Sequence, residues 1–411
     1  MNDPNTIRLM AVDDEPVMLR LLERMLNQLG HSPVTLCSGA RQALQVLDQT
    51  PQAPNLILLD LGMPDMDGIE FLRRLAERHY TGAVIIVSGE DETILRSVES
   101  LMHIHGINSL GLLHKPFKPD SLSALLGRWK PAASRQPRVA KASYGAEEVR
   151  RAISDGQLLN YYQPKVAVTT GDVVGVEALV RWRHPDAGIV FPDQFIGVAE
   201  THGLMGQLTR SVLGIALAQC RAWHADGLQL QIAVNVSMQN LESLGFPDML
   251  AEQAAAAAVP AEFVTVEVTE SRLMDNFTVA LDVLNRLRLK RFRLSIDDFG
   301  TGHSTFSKLA DIPFDELKVD RGFVHGAATN ATLRAIYSAS LALGRTLKMA
   351  VVAEGVEDRT DWDYLRKTHC DLAQGYFIAK PMPADSLPAW VSEWRNRLQH
   401  ESLLSQTSPT L

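Results

Sequence analysis

Glu177, Asn235, Glu267, Asp297, Asp298 and Glu354 follow short apolar runs in the second half of the chain. The runs are rich in β-branched residues and alternate with helical stretches, which reads as the strands of a parallel barrel. Barrels of this kind place their chemistry at the C-terminal ends of the strands. Folding then gathers five carboxylates and one amide on one rim. Like charges that close stay ionised only if a cation sits among them, and otherwise some take up protons. Hard oxygen ligands select Mg²⁺ or Mn²⁺. This half therefore reads as a metal-dependent hydrolase acting on a phosphate ester.

A second set of residues lies in the first half. Strands are predicted over residues 7–12, 34–37, 56–59, 83–87 and 110–113, separated by amphipathic stretches. This is the βα pattern of a doubly wound (βα)5 sheet, flavodoxin-like in type, whose ligands bind beyond the carboxyl ends of the strands. Asp13, Asp14, Asp60, Ser88 and Lys115 fall at those ends. Three aspartates can hold one Mg²⁺, and a lone carboxylate such as Asp60 can accept a phosphoryl group. Ser88 can donate to the new phosphoryl oxygens and Lys115 can pair with them. One aspartate after a strand is usually a helix cap; three, with a serine and a Lys-Pro at matching ends, are not.

The elements around these sites give the organisation. Residues 1–129 form the first domain. Residues 130–145, with Pro131, Pro137 and many small residues, read as a linker. The barrel spans 146–398, and 399–411 reads as a disordered tail. The composition, 46% hydrophobic and 21% charged, is that of an ordinary soluble globular protein. No leader pattern or membrane-length apolar run is seen, so a cytoplasmic protein with no membrane partner is expected. Cys37, Cys220 and Cys370 are widely spaced and read as reduced thiols. A net charge of -8 argues against DNA binding, and no helix-turn-helix region remains outside the two domains. A barrel with paired carboxylates also raises a glycosidase reading, against which Asn235, Lys318 and the adjacent Asp297-Asp298 argue for metals.

The first half resembles the receiver domain of bacterial response regulators, over about residues 7–128. Val12-Asp13-Asp14-Glu15, Leu59-Asp60-Leu61-Gly62-Met63-Pro64, Ser88 and Lys115-Pro116-Phe117 carry the resemblance. It implies phosphorylation of Asp60 by a sensor histidine kinase or phosphotransfer protein, with one Mg²⁺ held by Asp13, Asp14 and Asp60. Many receivers have an aromatic residue three positions before the lysine, where this chain has Leu112.

The second half resembles the EAL family of cyclic di-GMP phosphodiesterases. Its carriers are Tyr161-Tyr162-Gln163-Pro164-Lys165, Glu177-Ala178-Leu179-Val180-Arg181, Asn235-Val236-Ser237, Glu267-Val268-Thr269-Glu270 and Asp297-Asp298-Phe299-Gly300. Leu317-Lys318-Val319-Asp320, Glu354-Gly355-Val356-Glu357 and Gln374-Gly375-Tyr376 complete them. The resemblance implies a modified TIM (β/α)8 barrel that opens cyclic di-GMP to linear pGpG with two Mg²⁺ or Mn²⁺ ions. Glu177, Asn235, Glu267 and Asp297 look like ligands of one ion, with Asp297 bridging to a second that Asp298 helps to hold. Glu354 is implied as general base or ligand, and Lys318 as the group that orients the water or steadies developing charge. Gln163, Leu179, Arg181 and Gln374 look like substrate contacts, Arg181 with phosphate. Glu270 and Asp320 are expected to orient loops. The family commonly has Tyr where this chain has His303. A homo-oligomer is the default for both domain types. The alternative function is an EAL domain that senses the nucleotide or binds partners without turnover.

Overall fold

The computed structural model describes residues 7–50, 53–78, 80–129, 144–270, 277–300 and 311–404. The chain divides into two compact units, Met1–Lys141 and Ala142–Leu411.

In the first unit β1 (Leu9–Val12), β2 (Val34–Cys37), β3 (Leu56–Leu59), β4 (Ala83–Ser88) and β5 (Asn108–His114) form a sheet in the order β2-β1-β3-β4-β5. All the pairings are parallel. β1, β3 and β4 are buried along their whole length, so they read as unbroken apolar runs. The two faces feed separate cores. Met10, Val12, Ile57 and Leu59 pack with Phe71 and Leu95 on one side. Leu9, Ala11, Leu56 and Leu58 pack with Leu22 and Leu122 on the other. The helix Gly68–Glu77 is started by Asp67, whose side chain accepts from the Glu70 N–H at 2.7 Å.

The second unit is a closed barrel. Its strands are β6 (Leu158–Ala167), β7 (Val173–His184), β8 (Gly188–Val190), β9 (Gln231–Asn235), β10 (Val264–Thr269), β11 (Arg293–Phe299), β12 (Glu316–Val319), β13 (Ala350–Ala353) and β14 (Leu372–Ala373). Their order is β6-β14-β13-β12-β11-β10-β9-β7-β8, and a further β6–β7 pairing closes the ring, leaving β8 as a flap on β7. Helices such as Met205–Ala225, Phe277–Leu289 and Ala331–Thr346 link successive parallel strands.

Three expectations need correction. The barrel is not wholly parallel: β6 runs antiparallel to β7 and β14. Residues 168–172 turn the chain straight back from β6 into β7, and a hairpin can only be antiparallel. Nor is the tail loose from residue 399. The last helix runs Leu387–His400, and Leu403 is fully buried, its carbonyl accepting from Trp362 Nε1 at 3.0 Å and Arg366 Nη1 at 2.9 Å. Barrel packing also begins before residue 146, since buried Tyr144 lies 4.6 Å from Trp182, ring centre to ring centre. Residues 130–143 of the expected linker and 405–411 of the tail lie outside the described residues. Among the described residues no helix is long and apolar enough to cross a membrane.

Candidate functional sites

In the first unit β1, β3 and β4 are neighbours, so their ends converge. Asp13 and Asp60 follow β1 and β3, Ser88 ends β4, and Lys115 follows β5. Lys115 Nζ lies 2.8 Å from Asp13 Oδ2 and 2.6 Å from Asp60 Oδ1. Asp60 Oδ2 accepts from the Gly62 N–H at 2.8 Å, and Asp13 Oδ1 from the Glu15 N–H at 2.9 Å. Burial raises the Asp13 carboxyl, and Lys115 only partly opposes it. Buried Ser88 uses its hydroxyl to accept from the Glu90 N–H. Asp14 is half-buried beside Asp13. The geometry brings a carboxylate, a flanking acid, a hydroxyl and an ammonium to one sheet edge. That is what a phosphoryl acceptor needs. Leu112 packs against the core on β5.

The barrel site is built around Lys318, which is 1% exposed on β12. Its ammonium lies 2.7 Å from Glu354, 3.0 Å from Glu267, 3.2 Å from Asp297 and 3.5 Å from Glu177. The sequence pattern ends its strands at the acids, but Glu177 stands in the middle of β7, which runs on to His184 as a hairpin with β8. Asn235 Nδ2 donates to Glu177 Oε1 at 2.7 Å, leaving the amide oxygen as a further hard donor. Gln374 Nε2 donates to Glu177 Oε2 at 2.7 Å and to Gln163 Oε1 at 3.1 Å, while Gln163 Nε2 donates to the Ala379 carbonyl. The Asn235 and Gln374 N–H groups thus orient Glu177, while Gln163 is itself fixed between Gln374 and the Ala379 carbonyl.

The neighbouring aspartates owe their placement to a backbone irregularity. Adjacent residues on a regular strand face opposite ways. Between Ile296 and Phe299 the pairing of β11 with β12 shifts register, and Asp298 sits at φ 55, in the left-handed region. The bulge turns the Asp298 carboxylate in with that of Asp297, and both carry an oxygen within 4.8 Å of one on Glu354. Just beyond, the Gly300 N–H donates to Glu270 Oε2 at 2.7 Å, at φ 97. A Cβ there would press on the Phe323 ring at 2.8 Å, so glycine is needed on both counts. Asp320 caps the short helix Arg321–Val324 through the Gly322 N–H. Residues 301–310, including His303, lie outside the described residues.

Electrostatics reflect the crowding. Burial works to raise Glu177, but Lys318, Gln374 and Asn235 together hold it below its ordinary value. Burial pushes Glu267 well up, against Lys318. It pushes Glu354 up to about 8 and Asp298 up to about 6, the latter helped by Asp297. Lys318 is raised well above its usual range because the acids outweigh its own desolvation. The acids thus exceed what one ammonium balances. Among the described residues Glu267 Oε1 is buried with no hydrogen-bond partner. An all-oxygen donor set with a surplus of negative charge and an orphaned buried oxygen fits hard divalent cations.

Glu177, Asp297, Lys318, Glu354 and Gln374 line a cleft of about 270 Å³ with Arg321, Glu357 and Tyr376. Sequence reasoning left those last three without roles. Their signal was present: each lies within three residues of an assigned site residue, in the segments that follow β12, β13 and β14. Leu179 lines a separate, mostly apolar cleft of about 330 Å³, and Asn235 lines that one too. Arg181 lines neither. It is 6% exposed, donates to the Val180 carbonyl and lies against the rings of Tyr161 and Phe191. It is therefore held by aromatic faces at the side of the site, and burial lowers its pKa.

A five-stranded acid-pocket sheet joined to a barrel with this lysine-centred acid cluster defines a two-domain class. The chain matches the response regulator receiver domain over residues 9–126 and the EAL domain over residues 146–381, and it belongs to the EAL-domain family. Among curated proteins it is 31% identical over 385 residues to the cyclic di-GMP phosphodiesterase RocR of Pseudomonas aeruginosa, covering 93% of this chain and 97% of that protein. The cyclic di-GMP phosphodiesterase NbdA of the same organism is 41% identical over 250 residues, 61% of this chain and 32% of that protein. Among solved structures, the PaMucR phosphodiesterase in complex with c-di-GMP is 39% identical with a TM-score of 0.56, over 59% of this chain and 98% of that one.

Proposed function

We propose that the chain is a response regulator whose barrel hydrolyses cyclic di-GMP to linear pGpG, under the control of phosphorylation at Asp60. The observation that carries the catalytic reading is the meeting of Glu177, Glu267, Asp297 and Glu354 around Lys318 Nζ, all within 3.5 Å. The two-domain likeness to RocR over nearly the whole chain supports the substrate.

Glu177, Asn235, Glu267, Asp297 and Asp298 would hold two Mg²⁺ or Mn²⁺ ions. When bound, such ions neutralise the scissile phosphate and make water more acidic. The chain's own residues do the rest. Glu354, with its raised carboxyl, accepts the proton of the attacking water. Lys318, 2.7 Å away, works against the burial that raises Glu354 and holds its carboxyl at the cleft. Gln374 and Asn235 fix both oxygens of Glu177. In the reaction a water oxygen bonds to phosphorus, one P–O3′ bond breaks, and the released 3′ oxygen takes up a proton. The product is a 5′-phosphate monoester. In the receiver, a phosphoryl group on Asp60 would pair with Lys115 and take a hydrogen bond from Ser88. A sensor histidine kinase or phosphotransfer protein would be its donor, and a homo-oligomer the working form.

The test is conversion of cyclic di-GMP to pGpG by the purified chain with Mg²⁺ and with excess EDTA, with and without beryllofluoride. Turnover that needs the metal and changes with beryllofluoride is expected. Full activity in EDTA would overturn the metal reading.

A further inference from the structure

One buried ion pair in the barrel makes no direct contact with the acids around Lys318. Lys165 Nζ on β6 lies 2.6 and 2.8 Å from the two carboxylate oxygens of Glu316 on β12. The side chains are 3% and 1% exposed. Ser295 Oγ adds a hydrogen bond to Glu316 Oε1 at 3.2 Å. β6 and β12 are not neighbours in the ring, because β13 and β14 lie between them. The pair therefore spans the barrel interior rather than lying along a seam between paired strands.

Such a pair is a poor stabiliser. Its desolvation offsets most of its attraction, and apolar side chains of the same volume usually serve as well. Its position offers another reason for it. Glu316 stands two residues before Lys318 on β12, so both side chains leave the same face, about 7 Å apart along the strand. Lysine carries its charge on a flexible four-carbon stem. An unpaired Glu316 would be a fifth acid within reach of the Lys318 ammonium, on the far side from the cleft. Lys318 pairs with Glu177, Glu267, Asp297 and Glu354, and Glu316 is not among its partners. Lys165 occupies both oxygens of Glu316 instead.

We infer that Lys165 is a positioning residue for Lys318: by closing Glu316 into a two-oxygen ion pair, it keeps that acid from drawing the Lys318 ammonium out of the acid cluster. The inference rests on the phosphodiesterase reading for its effect on rate. Its effect on the acids can be read without turnover. An ammonium withdrawn toward Glu316 leaves Glu177, Asp297 and Glu267 freer to take a divalent cation. Loss of Lys165 should therefore slow the reaction and tighten the metal, whereas a merely loosened barrel would weaken both.

The experiment compares wild type, Lys165→Met and the double variant Lys165→Met with Glu316→Gln, by cyclic di-GMP turnover and by Mn²⁺ titration calorimetry without substrate. Lys165→Met is expected to lose about tenfold or more in kcat with KM within about threefold, the pattern of a displaced reacting group. Its Mn²⁺ affinity should rise. The double variant, with no unpaired charge, should return to within about threefold of wild type in both readouts. If Lys165→Met alone does not fold, the double variant decides, since a folded double variant with lost turnover overturns the inference. A folded Lys165→Met with unchanged kcat, or with weaker Mn²⁺ binding, overturns it too. A wild type that binds Mn²⁺ but leaves cyclic di-GMP intact would sink the proposed substrate, while the affinities of the two variants would still decide the role of Lys165.

Discussion

Lys318→Met removes the ammonium that sits 2.7 to 3.5 Å from four carboxylates. Stranding a buried charge by removing its partner costs roughly 3–5 kcal/mol. A barrel of this size shifts by about 2–4 °C per kcal/mol, so melting in EDTA should fall by roughly 8–16 °C for a loss near 4 kcal/mol. The lower part of that range is expected, because Glu267 and Glu354 are already pushed toward their protonated forms. Mg²⁺ should then restore much of the loss. A ligand at about 100 times its Kd contributes about 2.7 kcal/mol, and in the variant it meets acids with no competing ammonium. Rate should not recover: loss of one charged donor at a reacting centre costs about 100-fold or more in kcat. The assay is thermal unfolding of both proteins in EDTA and in Mg²⁺, beside initial rates of pGpG release. If Mg²⁺ returns the variant's rate to within about threefold of wild type, Lys318 is only a counter-charge and its role in the reaction is refuted. If melting in EDTA does not move, the burial argument fails as well.

Three further outcomes can be measured. Asp60→Asn should lose the change in turnover that beryllofluoride gives the wild type, read as a rate ratio with and without it; a retained response would remove Asp60 as the acceptor. Asp298→Asn should melt within about 0.5 kcal/mol of wild type, because asparagine tolerates the left-handed backbone at φ 55. Its affinity for a second Mn²⁺ should nonetheless fall at least about tenfold by calorimetry, and unaltered binding would take Asp298 out of the metal site. Leu403→Ala should cost about 2–4 kcal/mol in thermal or urea unfolding, and a neutral result would mean that the segment after His400 is not tied to the barrel.

β1, β3 and β4 were legible because each is buried along its whole length and reads as an unbroken apolar run; β4, Ala83–Ser88, is the clearest case. The direction of β6 was not legible. Leu158–Ala167 has the same apolar character as its neighbours, and only the short turn to β7 makes it antiparallel. The acids that meet at Lys318 were legible as types at strand ends, but their partners were not. That Gln374 donates to both Glu177 and Gln163 depends on β14 and β7 both bordering β6, a closure that no local pattern records. The Asp297-Asp298 pair was visible as two adjacent acids. The bulge that lets both face the site arises from pairing with β12, a contact between distant segments. The tail misled because Ser402 to Leu411 is polar on average, which hid one well-buried leucine.

Strand parity carried more information than was taken from it. Gln163 with Lys165 on β6, and Glu316 with Lys318 on β12, are pairs two residues apart, so each pair shares a face. Once Gln163 and Lys318 are assigned to the barrel interior, Lys165 and Glu316 must follow them there. A lone lysine or glutamate inside a barrel is prohibitively costly, so two of opposite sign imply that they meet. The contact at 2.6 Å across non-adjacent strands agrees with that reasoning. The same parity on β11 joins Ser295 to Asp297, and Ser295 supplies the third contact to Glu316. Among the described residues the charged groups buried in this barrel thus fall into clusters of different kinds. One has more acid than cation, an orphaned oxygen and an opening to the cleft. The other is a closed ion pair, with both oxygens of Glu316 on one ammonium. A surplus of charge invites a ligand and a matched pair does not, so only the first has the makings of a reacting centre.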